Sequence, residues 1–245
     1  MNTIYNFVKT SCLSAGVALS AVALTLAPAE AFSLRFSEDI GSTESTGSSA
    51  LADFDFVQDG NNVVLNLTMT NTTDVGVEYS TLVGLGWQNP DGSYDTSLDS
   101  NGTDFTQLYD PATLQPYGNF DLGIRADGGG NFSGGNPDGG LGIGESATVK
   151  VSYSLEDGSF LDATNLEQMF SDMYQSAGSD GQLASGDYSA VARFQQVGTD
   201  QEGSDKVLGA YFMEDDPAAD VPEPGTILAL GSVVVGAAGL RRKNR

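Results

Sequence analysis

The sequence predicts a mainly β fold, a single β-sandwich of jelly-roll or Ig-like type with about eight strands and one short amphipathic helix. Three observations predict it. Apolar residues recur with a period of two in one segment after another. Turn residues such as Asp59-Gly60-Asn61-Asn62 separate these segments. A single stretch switches to the helical period.

Taken in order, Ser33 to Ser37 reads as an edge strand and Phe54 and Phe56 mark the next. Val63, Leu65, Leu67 and Met69 point one way while Val64, Asn66, Thr68 and Thr70 point the other, the signature of a half-buried strand. Thr81 to Trp87 is a small apolar strand. Phe120, Leu122, Ile124 and Ala126 alternate, as do Ala147, Val149, Val151, Tyr153 and Leu155. Tyr188 to Val197 and Lys206 to Met213 complete the set. The helix is expected at Ala163 to Gln175. Leu166, Met169, Phe170 and Met173 make one stripe there, and Thr164 with Glu167 has capping-box spacing. Gly41 to Ala50 and the glycine-rich Asp127 to Gly144 read as loops, the first of them mobile.

Both termini carry addresses. Lys9, the apolar Cys12 to Ala27 and the small-x-small site Ala29-Glu30-Ala31 form a signal peptide (residues 1–31), cut after Ala31 to leave Phe32 first. At the other end, Pro222-Glu223-Pro224 precedes an apolar run at 225–240 and the basic cluster Arg241-Arg242-Lys243-Asn244-Arg245. The prolines forbid a continuing helix or central strand. The sixteen apolar positions span about 24 Å as a helix, short of the ~30 Å hydrocarbon core and suited to a temporary anchor. This tripartite segment, 221–245, resembles the PEP-CTERM sorting signal of Gram-negative surface proteins. The resemblance implies recognition of Pro222, Glu223 and Pro224 by an exosortase-like membrane protease, after signal peptidase has acted at the other end. It also implies delivery to the cell surface or extracellular matrix, and a structural or interaction role with exopolysaccharide and biofilm.

Residues 32–220 are expected to form one extracytoplasmic domain. From Phe32 to Val221 there are 31 acids, all 33 except Glu30 and Glu223, against five bases, a net charge of −26. Such a field repels phosphate backbones, which excludes nucleic acid as a partner. The single cysteine, Cys12, lies in the leader, and the chain has no histidine. Disulfides, thiol nucleophiles, imidazole metal sites and Ser-His-Asp mechanisms are therefore absent from the mature chain. No catalytic residue is assigned. A carboxylate-based glycoside hydrolase is the remaining enzymatic alternative, with Glu145, Glu156 and Asp157 as its candidates.

Two ligand chemistries stay open. Oxygen-bearing turns at Asp91, Asp99, Asn101 and Asp104 suit a hard cation, so calcium is the one ion considered. Ser97 and Leu108 stand where an EF-hand would place ligands, and ordinary Asx turns account for the same residues. No other cofactor is expected. Trp87, Tyr94 and Tyr109 offer aromatic faces for a specific glycan-binding module, although Trp87 is in phase with the core positions Val83 and Leu85.

Overall fold

Alternation at Phe54–Val57 and Val63–Thr70 becomes two long strands that turn one face to the core and the other to solvent. A computed structural model describes residues 31–100, 102–126, 130–132 and 137–212. Ala29, Asn101, Pro222, Glu223, Pro224 and Met213 lie outside the described residues, as do most of the signal peptide and the sorting segment. The strands are β1 (Phe32–Phe36), β2 (Ala50–Asp59), β3 (Asn62–Asn71), β4 (Thr81–Trp87), β5 (Tyr94–Asp99) and β6 (Gln107–Tyr109). They continue with β7 (Ala112–Thr113), β8 (Asn119–Phe120), β9 (Leu122–Arg125) and β10 (Ser146–Leu155). After helix α1 (Ala163–Ser176) come β11 (Ala190–Val197) and β12 (Gly203–Phe212).

The sandwich expectation is wrong. Ten strands form one unbroken antiparallel sheet in the order β5-β10-β3-β2-β1-β12-β11-β4-β9-β6, and β7-β8 is a separate small hairpin. The two outermost strands, β5 and β6, approach each other, so the sheet curls into a nearly closed barrel. A sandwich, jelly-roll or Ig-like, needs two sheets facing one another; here the inner face meets itself. The decisive pairing is β1, expected at an edge, which bonds β2 on one side and β12 on the other. Closure removes most of the exposed edge that an open sheet would present.

Helix α1 plugs one end. Leu166, Phe170 and Tyr174 enter the main core with Phe32, Phe54, Phe56, Trp87 and Tyr153. Phe32 stacks on Phe54 at 4.9 Å and Phe56 meets Phe170 at 5.0 Å, pairs of the kind that add about 0.5–1.5 kcal/mol beyond area burial. The predicted stripe is rotated. Met169 is 41% exposed while Tyr174 and Glu167 are buried. The cap also moves: Asp162, not Thr164, accepts from the Asn165 backbone N–H at 2.9 Å.

The far end is closed by polar chain. Asp205 is buried and accepts from the hydroxyls of Ser42, Thr43 and Thr46 and from backbone N–H groups of the same loop. The 41–50 segment is thus pinned by its hydroxyls, where composition alone predicted a mobile loop. Asn71 adds bonds to the carbonyls of Ser80 and Leu141.

A second layer covers part of the outer wall. Ala112, Leu114, Phe120 and Phe132 pack on Val191 and Leu208 from outside. The wall beneath is made of Gly84, Gly86 and Gly123, where an added Cβ would lie 2.6 Å from Phe132, 2.6 Å from Leu114 and 2.5 Å from Ala112. Glycine is required there by close approach of the covering chain. Alternation through Phe120–Ala126 breaks at Asp121, so Phe120 joins this outer cluster while Leu122 and Ile124 face the barrel core.

Candidate functional site

At the helix end, β4 delivers Trp87 into the core and then turns through Gln88–Gly92 to reach β5. This turn is braced on all sides. The Asn89 backbone N–H donates to Asp121 at 2.8 Å, and the Asp121 N–H donates to the Gln88 side chain at 3.3 Å. Tyr174 donates to the Gln88 carbonyl at 2.8 Å. A relay leads out of the core: Trp87 Nε1 donates to Tyr153 Oη at 3.1 Å, and Tyr153 donates to Asn89 Oδ1 at 3.1 Å. Burial pushes the Tyr153 phenol far above its ordinary range, and burial followed by the Tyr153 and Asp121 charges does the same for Tyr174. Both therefore remain hydroxyl donors at any physiological pH.

Two open clefts adjoin on this braced turn and share Asn89, Pro90, Asp91 and Asp121. The larger, about 660 Å³, runs between the turn and α1, where Met169, Asp172 and Met173 form one wall and Leu183 and Asp187 another. The smaller, about 440 Å³, is lined by Tyr94, Asp110 and Glu156. Either volume is in the range that holds a small ligand. Chemically the surface is a set of carboxylate and amide acceptors beside one phenol. Tyr94, half-buried and edge-on to Tyr153 at 5.8 Å, donates to the Asp91 carbonyl at 3.3 Å. Burial and then the Asp91 charge raise its pKa, so it too stays protonated.

The structure separates the other sequence-derived candidates. Asp91 stands before β5 and Asp99 at its far end, with the six-residue strand between them, which separates them by on the order of 20 Å. Asp104 lies beyond Asp99, against Gly139. These positions do not make one ligand set, and among the described residues no group of three or more acids is arranged to hold a metal. Trp87 is fully buried, so it offers no face to a glycan; Tyr94 alone of the three aromatics lines the clefts. Tyr109 packs on Phe132 at 5.6 Å in the outer layer. Glu145 and Glu156 flank opposite ends of β10 and cannot act as a pair. Asp157 caps its own turn at Ser159. Ala31 and Phe32 stand at the start of β1, with Phe32 already in the core.

The sequence places Asn89 beside Asp91 in one Asx-Pro turn, but sequence reasoning missed Asp110, Asp121 and Asp172 as their neighbours. These three come from separate stretches of chain, and no local pattern marks them.

Residues 220–243 match the PEP-CTERM protein-sorting motif. The chain carries this signal at its C-terminus, which implies an exported protein, sorted to the cell surface and processed by exosortase. No curated protein and no solved structure matches the chain. Among the described residues no helix is long and apolar enough to cross a membrane.

Proposed function

We propose that this protein is a non-catalytic component of the cell surface or extracellular matrix that engages exopolysaccharide through its helix-capped end. The observation that carries the reading is the pair of adjoining clefts around Asp91 and Asp121. Carboxylate and amide oxygens accept from sugar hydroxyls, and a wide, open surface suits a polymer lying across it. The sorting motif supports the setting, since it directs the chain to where such polymers are. A glycan module of defined specificity is the second reading, favoured by Tyr94 at the cleft wall, whose ring can stack on a sugar face.

The test is co-sedimentation of the full-length chain, in nonionic detergent, with matrix polysaccharide of the host, with calcium or with chelator. Retention with and without chelator supports direct contact. Retention competed by one sugar supports the module reading. Retention only with calcium assigns the contact to bridging cations. Absence of retention in every condition contradicts both readings, and release of new reducing ends would make the protein a glycoside hydrolase.

A further inference from the structure

Three of the five bases of the exported chain stand in one row across the outer wall of the barrel. Arg125 on β9 is opposite Gly84 on β4, Gly84 is opposite Arg193 on β11, and Arg193 is opposite Lys206 on β12. Adjacent strands lie about 4.8 Å apart, which sets Arg193 about 5 Å from Lys206 and about 10 Å from Arg125 along the row. Val191 and Leu208, two residues along the same strands, lie under the outer apolar layer. The Phe132 ring lies over Gly84, between the two arginine positions.

Arg193 is 6% exposed, and its Nε and Nη1 have no hydrogen-bond partner. Burial and then the neighbouring Arg125 push its pKa down to about 10. Lys206 is depressed by the same two kinds of cause, burial and then Arg193, with Asp205 and Glu44 acting in the opposite sense. Yet Asp205 is committed to Ser42, Thr43 and Thr46. Among the described residues the ion pair formed is Arg35–Asp39, elsewhere on β1. A covered guanidinium with unmade donors and cationic neighbours is a costly arrangement. It is costlier to explain in a chain where acids outnumber bases so heavily. An anion seated on it removes the cost, because the planar guanidinium matches an oxyanion in charge and geometry.

We propose that Arg193 and Lys206 form an oxyanion-binding site on the outer wall of the barrel, for a carboxylate or sulfate group such as an acidic polysaccharide carries. Arg193 supplies the covered, directional donors. Lys206, half-exposed, supplies the entry side. The site is separate from the helix-end clefts and stands or falls without them.

The experiment is thermal unfolding of the full-length chain in nonionic detergent, titrated with inorganic sulfate, free glucuronate or glucose at ionic strength held constant with chloride. A saturable rise of about 3–6 °C at tenfold excess over the dissociation constant is expected for sulfate, glucuronate or both. It is lost in Arg193→Met and in Lys206→Met, and glucose gives none. Response to glucuronate alone assigns the site to a uronate; response to both anions assigns it to oxyanions in general. An unresponsive wild type, a response unchanged in Lys206→Met, or an equal response to glucose overturns the proposal. Lys206→Met keeps the test valid even where the arginine variant does not fold.

Discussion

Trp87 shows how a single residue joins core to surface. Its ring sits among Phe54 and the helix aromatics, while its Nε1 starts the relay through Tyr153 to Asn89. Trp87→Ala should cost about 3–5 kcal/mol in urea unfolding, and Trp87→Phe less, with the cleft turn loosened because Tyr153 loses its donor. A variant that binds less but unfolds at the wild-type midpoint would contradict this placement. Phase with Val83 and Leu85 made the core position legible in the sequence. Asp205 was not legible, because its partners Ser42 and Thr43 are 163 and 162 residues away. Burial alone would raise its pKa, but the hydrogen bonds from Thr46, Ser42 and Thr43 outweigh it and hold the carboxyl below its ordinary value. A depressed carboxyl contributes stability that is present above its unfolded pKa, about 3.9, and lost as pH falls through the folded value. Asp205→Asn should therefore unfold more readily at pH 7 and show a flatter stability profile below pH 4; an unchanged acid limb would contradict the assignment.

At the level of elements, α1 and the glycine-floored wall set the architecture. Phe170 meets Phe54, Phe56, Tyr153 and Tyr174, so Phe170→Ala should cost about 3–5 kcal/mol and open the helix end. Asp162→Ala should cost only about 1 kcal/mol, the usual worth of an N-cap. Gly86→Val forces Leu114 and Phe120 off the wall, and overpacking of this kind costs about 1–3 kcal/mol. Circular dichroism melts rank the three, and a neutral Gly86→Val would refute the outer layer. Most of the long strands could be read from alternation, since period two depends only on one buried face. By sequence β5 reads as part of a turn-rich loop, because its inward residues Tyr94, Thr96 and Leu98 are only half-buried and mostly polar. Whether the strands join into one sheet that curls on itself could not be read. That rests on β1 meeting β12 across the length of the domain and on the outermost β5 and β6 then approaching each other. The short strands β6 to β8 lie among prolines and turns and carry too few residues to show a period. Rotation of the helix stripe follows from the aromatic core, which takes Tyr174 in preference to the flexible Met169.

For the whole molecule, closure and charge act together. A barrel with few open edges resists pairing with copies of itself, and the large negative charge adds repulsion between molecules and within each one. Raising sodium chloride from 10 to 200 mM should therefore raise the melting temperature by screening; a flat response would show that the charges are too dispersed to matter. The address was legible in the sequence because sorting signals are local and ordered. The binding face was not, because it is assembled from the ends of β4, β6 and β10 and from the helix. Its test is co-sedimentation of the full-length chain with matrix polysaccharide, comparing wild type with Asp91→Asn, Asp110→Asn, Glu156→Gln combined. These exposed acids line the clefts without bracing the turn. Retention of the wild type, at least about tenfold weaker in the triple variant (about 1.4 kcal/mol) at unchanged melting temperature, is the predicted result. Equal retention of both proteins, or of neither, would contradict the account.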